Sequence, residues 1–352
     1  MSYSSNEAKT PIHVALAVYD PKGTYSQHAG VVMTSIFENT QSPVVVHILH
    51  DETLTEDNRK KFIRTAEKYG QTVDLIDTRK YMFNLNGDAI ALAKNSRWTI
   101  GTLYRLFIPN LLDLDRVIYL DCDVIVNLDI LELWNIDLEG NCLGGVFDNI
   151  SKLSKWSYNA ICEKLNRCPM LSYINAGVLL MNLTEIRKRG NLFQLSMAYY
   201  SLHRHSKPYL DQDILNAIFS DSIKLIDPKF NYFLYSRDPK KQHDDFNGCI
   251  THLTLPKPWR ELTGLATERL YWSMFLRSAW GEKTTVDELI GILGRVASLS
   301  PQIHRHTKQC YQQIGIRLFR DIFHPELFAT IWLLLQELYA RIRRSIFAKN
   351  RS

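Results

Sequence analysis

Residues 116–126 read Arg-Val-Ile-Tyr-Leu-Asp-Cys-Asp-Val-Ile-Val. The run RVIYL, Arg116 to Leu120, has the length and apolar character of a buried strand. Two carboxylates, Asp121 and Asp123, follow it within one short turn, and a second apolar run, VIV, comes next. In open α/β sheets ligands bind in the crevice beyond the carboxyl ends of the strands, so acids at that point stand where a ligand would be met. A divalent cation such as Mn²⁺ or Mg²⁺ suits a pair of hard oxygen ligands and bridges to the oxygens of a diphosphate. A solvated turn is the competing reading of the same three residues.

Working outward, His13 to Val18 (HVALAV) is an apolar stretch of strand length, followed by an Asp-Pro-Lys-Gly turn and a helix-like segment from His28 to Asn39. Val44 to His50 predicts a second strand. Thr53 with Glu56 predicts a capping box ahead of a helix reaching about Tyr69, and Thr72 to Ile76 a third strand. Beyond the acids, Cys142 to Val146 and Tyr173 to Met181 repeat the strand pattern, and Asp211-Gln212-Asp213 opens a helix whose positive end favours acids. Strands alternating with helices imply right-handed crossovers and a mixed, mainly parallel, Rossmann-like sheet, which makes the fold class α/β.

After about Tyr271 strand signals fade and helical periodicity takes over. The expected division is therefore a catalytic domain over 11–270 and a C-terminal helical, basic, amphipathic extension over 271–352. From Glu326 to about Phe347, Leu327, Ile331, Leu334, Leu335, Leu338 and Ile342 share one helical face, and Arg341, Arg343, Arg344, Lys349 and Arg351 crowd its end. Such a stripe suits either an anionic membrane surface or the protein's own core.

The 352 residues are 45% hydrophobic and 22% charged, which excludes fibrous and disordered classes. A net charge of +5 is too mild for a nucleic-acid binder, while anionic substrates and membrane lipids stay open as partners. Six scattered cysteines without a CxxC pair read as reduced thiols of a cytoplasmic protein. The polar stretch Met1 to Thr10 lacks a signal peptide's apolar core, and no run reaches the roughly 18 apolar residues of a membrane span.

A second chemical element is His252-Leu-Thr-Leu-Pro-Lys-Pro-Trp259. A neutral imidazole completes a carboxylate metal site, since manganese accepts nitrogen alongside oxygen, and Lys257 between Pro256 and Pro258 offers a stiffly held point charge to phosphate. Taken alone, His252 also reads as a satisfied structural histidine. Asn175-Ala176-Gly177 keeps side chains small beside one polar group, which permits close approach of a ring or marks a plain strand-end turn. Arg105 could equally bind a carboxylate of the protein itself.

In order, the opening strand-loop, Tyr104-Arg105-Leu106, YLDCDV, YINAGVLLMN, DQDILN and the His-to-Trp element resemble the family 8 glycosyltransferases, over about His13 to Trp259. The resemblance implies a GT-A type fold, a UDP-sugar donor such as UDP-galactose or UDP-glucose, Mn²⁺, a glycan, glycolipid or glycoprotein acceptor, and retention of anomeric configuration. Position by position it implies Asp121, Asp123 and His252 as metal ligands and Lys257 as the diphosphate contact. It puts Arg105, Asp148, Asn175, Ala176, Asp211 and Gln212 at the donor sugar, and Ala17, Val18 and Tyr19 on the uridine loop. The chain departs from the family where Tyr19-Asp20 is followed by an inserted Pro-Lys-Gly, and where Leu255 or Pro256 replaces a glycine before the lysine. Two rivals use the same residues. One is an aspartate-nucleophile phosphatase, whose entry motif is also a strand followed by Asp-x-Asp, and the other a nucleotide-sugar-binding protein without turnover. For the transferase, retention comes through a covalent intermediate or through same-face attack, with Asp211 and Gln212 orienting the sugar.

Overall fold

The structure, a computed structural model, describes residues 10–82, 99–148, 173–203, 210–233, 246–254, 257–260 and 266–282. The chain divides into two compact units, residues 1–234 with 245–254, and residues 235–244 with 255–352.

The first unit is built on a seven-stranded sheet. Its strands are β1 (Ile12–Val18), β2 (Val44–His50), β3 (Thr72–Asp77), β4 (Arg116–Leu120), β6 (Leu143–Phe147), β7 (Ile174–Asn182) and β8 (Ile223–Leu225), in spatial order β3-β2-β1-β4-β7-β6-β8. β1, β2, β3 and β4 are mutually parallel, as the alternation of strands and helices predicts. Their continuous apolar runs are buried because helices cover the sheet: Val14, Leu16, Val46, Ile48, Val117 and Ile118 are all fully enclosed.

Two helices make the crossovers from β1 to β2 and from β2 to β3. α1 (Ser26–Asn39) is buried along almost its whole length, whereas α2 (Glu56–Lys68) buries one face through Asn58, Phe62, Thr65 and Ala66. The cap of α2 differs from the sequence expectation. Thr55, not Thr53, is the N-cap, and its hydroxyl accepts from the Asn58 N–H at 3.2 Å. Thr53 is drawn elsewhere, donating to Asp51 Oδ1 at 2.6 Å and accepting from the Asp20 N–H at 2.8 Å.

The strand that matters most for function is β7, because it runs against both its neighbours, β4 and β6. Reversal places its beginning, not its end, at the carboxyl edge of β4, with Val178 opposite Leu120. Asn175-Ala176-Gly177 lies within the span of β7, where its pairing with β6 shifts register, and not in the strand-end turn that was the alternative reading.

A small second sheet sets the remaining geometry. β5 (Val124–Val126) and β9 (Tyr232–Phe233) flank β10 (Ile250–His252), and β10 pairs antiparallel with β5 so that His252 faces Val124. The Leu253 N–H donates to the Asp123 carbonyl at 2.8 Å, continuing the ladder past the acid.

In the second unit the helix Ala266–Arg277 carries Tyr271, Trp272 and Phe275, and Trp259 packs against Tyr271 with ring centres 5.0 Å apart and planes tilted by 42°. The domain boundary expected near residue 271 falls inside this helix. The amphipathic stretch Glu326 to Phe347 lies outside the described residues. Among the described residues no helix is long and apolar enough to cross a membrane.

Candidate active site

Asp121 leaves β4 at the carboxyl edge of the sheet, and its N–H donates to the Gly177 carbonyl of β7 at 2.8 Å. A short turn then joins β4 to the strand Val124–Val126. Cys122 is buried, its thiol donating to the Ala17 carbonyl at 3.3 Å, while Asp121 and Asp123 on either side of it are half-buried. The ladder between β5 and β10 then delivers His252, whose Nε2 lies 3.3 Å from Asp123 Oδ1. One ligand atom from each of Asp121, Asp123 and His252 lies within 4.8 Å of the others.

Arg105 lies beside this cluster on a 3-10 helix, Ile100–Phe107. Its buried guanidinium spans two acids, Nη2 reaching Asp121 Oδ1 at 2.8 Å and Nε reaching Asp211 Oδ2 at 3.1 Å. Nη1 donates to the Ala176 carbonyl at 2.6 Å, and the group stacks 4.4 Å over the ring of Tyr119. Burial works against the charge of Arg105, but Asp121 and Asp211 outweigh it and keep the guanidinium protonated beyond its ordinary range. Burial also pushes the Asp211 carboxyl up to about 6, with Arg105 pulling the other way. Both readings of Arg105 therefore meet in one residue, since it binds internal carboxylates at the edge of the candidate site.

On the other side of Asp121 a polar network ties β7 to the helix Leu210–Ile218. Gln212 Oε1 accepts from the Ala176 N–H and from Asn175 Nδ2, both at 3.1 Å. Asp148 Oδ2 accepts from Gln212 Nε2 at 3.1 Å and from Asn175 Nδ2 at 3.2 Å. Asn216 locks the helix to β7 by accepting from the Ile174 N–H and donating to its carbonyl, each at 2.8 Å. The structure thus brings together Arg105, Asp121, Asp123, Asp148, Asn175, Ala176, Asp211, Gln212 and His252, drawn from six separate stretches of chain.

Ala17 and Val18 end β1, the Ala17 carbonyl accepting from the Cys122 thiol of the Asp-x-Asp turn, and Val18 is fully buried. Tyr19 packs against Gly101, where a Cβ would come within 2.7 Å of the Tyr19 Cβ. The inserted Pro-Lys-Gly loop is organised by Asp20, which is 1% exposed. Its carboxylate accepts from the Tyr25 N–H, the Ser26 N–H, the Ser26 hydroxyl and Asn58 Nδ2 at 2.6 to 3.2 Å, so it builds the loop and caps α1. Lys257 belongs to the second unit, where its ammonium lies 5.7 Å from the centre of the Trp259 ring.

Two residues of the cluster escape the sequence reading. Tyr119 donates to Asp121 Oδ1 at 2.8 Å. Its signal was available, because residues two apart on a strand share a face. Asn231 accepts from His252 Nδ1 at 2.9 Å, and no spacing relates it to the histidine.

A seven-stranded mixed sheet with acids at the carboxyl edge of β4, met by a histidine from a small second sheet, defines a glycosyltransferase of the GT-A type. The chain belongs to glycosyl transferase family 8, whose model matches residues 17–263. It is 30% identical over 217 residues to a putative glycosyltransferase of Haemophilus influenzae, covering 61% of this chain and 62% of that relative. A lipopolysaccharide 1,2-glucosyltransferase of Escherichia coli is 27% identical over 274 residues, 73% of this chain and 76% of that one. Among solved structures, the galactosyltransferase LgtC in complex with donor and acceptor sugar analogs is similar with a TM-score of 0.63 and 25% identity, covering 80% of this chain and all of that one.

Proposed function

We propose that the chain is a retaining hexosyltransferase that moves galactose or glucose from a UDP-sugar to a hydroxyl of a glycan, glycolipid or glycoprotein acceptor. The observation that carries this reading is the convergence of Asp121, Asp123 and His252 on one point beside the Arg105, Asn175 and Gln212 network. The names of its relatives, a lipopolysaccharide glucosyltransferase and a galactosyltransferase, support a hexose and a cell-surface glycan acceptor.

Two carboxylates and one imidazole form a mostly hard donor set that fits Mn²⁺, with Mg²⁺ as the alternative. Asp121, Asp123 and His252 would hold the ion, which when bound supplies Lewis-acid charge against the negative charge growing on the departing diphosphate. Arg105 holds Asp121 by one oxygen, Oδ1, and Tyr119 adds a second hydrogen bond to that same atom, so the carboxylate is oriented before any ligand arrives. Lys257 contacts the diphosphate in this reading, Ala17, Val18 and Tyr19 the uridine, and Asp148, Asn175, Ala176 and Asp211 the donor sugar.

Gln212 is a poor nucleophile, and its oxygen already accepts two hydrogen bonds. This favours same-face attack, in which the acceptor oxygen bonds to the anomeric carbon on the side the diphosphate leaves, and the leaving phosphate oxygen takes the hydroxyl proton. The catalytic domain would span 11–270. A cytoplasmic location, with peripheral contact to the inner face of the membrane through the extension over 271–352, suits a lipid-attached acceptor.

The experiment is a screen of nucleotide sugars for slow Mn²⁺-dependent hydrolysis, which needs no knowledge of the acceptor. UDP-galactose or UDP-glucose is expected to turn over, and Asp121→Ala or Asp123→Ala to abolish it without unfolding the protein. Undiminished turnover by verified metal-free protein in excess EDTA would overturn the metal reading. Proton NMR of the first-formed product tests retention, and inversion would refute it.

A further inference from the structure

We infer that Asn231 is a positioning residue that holds His252 as its Nδ1–H tautomer and so turns the bare Nε2 toward Asp121 and Asp123. This rests on the reading of His252 as a metal ligand.

The direction of every amide in the network follows from two groups that can act in one way alone. The Gly177 N–H donates to Asn175 Oδ1 at 2.8 Å, which fixes that atom as the oxygen. The Asn231 amide meets the same oxygen at 3.0 Å and must present Nδ2 to it. Asn231 is left with Oδ1 toward His252 Nδ1, 2.9 Å away, so that ring nitrogen carries the hydrogen.

The far end of the network agrees independently. The Ala176 N–H fixes Gln212 Oε1 as an oxygen, and Gln212 Nε2 then donates to Asp148. Asn175 Nδ2 donates to both Gln212 Oε1 and Asp148 Oδ2, the orientation that the Gly177 N–H had already required. Flipping any one amide would set two donors or two acceptors face to face. Asn231 is 1% exposed and His252 5%, so solvent cannot repair such a mismatch.

The surroundings of the ring serve the same end. Gly177 leaves vacant the space the imidazole fills, since a Cβ there would lie 2.3 Å from His252 Cε1, and the Phe233 ring lies 5.5 Å away between centres. A ligating histidine whose second nitrogen donates to a fixed oxygen is held in tautomer and in angle. Here that oxygen is supplied by Asn231, whose own amide is oriented by the β7 main chain.

Two measurements on the full chain test this. Long-range ¹⁵N–¹H NMR of histidine-labelled, metal-free protein, above the pH at which imidazole titrates, is expected to show His252 as the Nδ1–H tautomer, its signals assigned by their loss in His252→Ala. An Nε2–H tautomer would overturn the proposal, whatever becomes of any variant. Mn²⁺ affinity by electron paramagnetic resonance is expected to fall about 10- to 100-fold in Asn231→Leu. Asn231→Asp, which keeps an acceptor for Nδ1–H, is expected to stay within about threefold of wild type. Wild-type affinity in a folded Asn231→Leu would overturn the positioning role. If the wild-type chain binds no Mn²⁺, the metal reading fails, while the tautomer spectrum still decides whether Asn231 directs the ring.

Discussion

Replacing Gly177 by alanine probes how tightly the imidazole of His252 is confined. An ideal Cβ at that position lies 2.3 Å from His252 Cε1 and 3.0 Å from its Nδ1, whereas carbon atoms pack at about 3.5–4.0 Å. The ring must retreat by about 1 Å to restore ordinary contact. It is not free to do so, because Nδ1 is bonded to Asn231 and the ring packs near Phe233. Overfilling a close-packed site of this kind costs about 1–3 kcal/mol.

Without the collision the same substitution would stabilise the strand by about 0.5–1 kcal/mol, since alanine loses less backbone freedom than glycine on folding. Asn175 Oδ1, 3.0 Å from the added carbon, must also yield slightly and trims that gain. A double-mutant cycle with His252→Ala separates the two effects. Chemical denaturation is expected to show Gly177→Ala destabilising the wild-type chain by about 2 kcal/mol and costing close to nothing once the imidazole is gone. Mn²⁺ binding by the single Gly177→Ala variant is expected to weaken about tenfold or more, as Nε2 is pushed out of line with the carboxylates. An equal cost in both backgrounds would refute the reasoning, because the penalty would then belong to the backbone and not to the ring.

Arg105→Met is expected to destabilise the protein by about 3–5 kcal/mol, since Asp121 and Asp211 lose the cation between them and Asp211 is buried; a loss under about 1 kcal/mol in denaturant unfolding would show that the pair is solvated after all. The histidine contribution to stability is expected to fall on acidification from about pH 6.5 toward pH 4, opposed over the same range by Asp211, whose carboxyl is raised to about 6 and so takes up its proton more readily in the folded chain. Burial lowers His47 to about 4 and lowers His13 and His50 as well, so the unfolded chain takes up protons that the folded chain refuses. His47 alone contributes up to about 3 kcal/mol to that slope, and melts of His47→Gln that remain as steep as wild type between pH 6.5 and 4 would remove it as the cause. Lys257→Ala is expected to weaken binding of UDP more than that of uridine by calorimetry, because the lost contact is to phosphate; equal losses for the two ligands would cancel its assignment to the diphosphate.

By itself the sequence determined the main strands of the sheet and the helices between the first three of them. Apolar runs of strand length located β1, β2 and β4 to within a residue, because strands buried on both faces must be apolar throughout. It also marked Asp121 and Asp123 as candidates, since carboxylates directly after such a strand stand where a ligand of the sheet would be met. What it left undetermined depended on partners distant along the chain. Thr53 and Thr55 are equally good caps for α2, and the choice went to Thr55 because Asp51 and Asp20 occupy Thr53. The direction of β7 has no local signature, as a buried strand reads the same both ways, yet that reversal puts Asn175, Ala176 and Gly177 beside Asp121. The pairing of β10 with β5 sets the His252 imidazole against Asp123, a juxtaposition that no spacing in the sequence reveals. Asn231 was invisible for the same reason: its role exists in a hydrogen-bond direction, and direction is imposed by the folded main chain of Ala176 and Gly177, not by any spacing of residues.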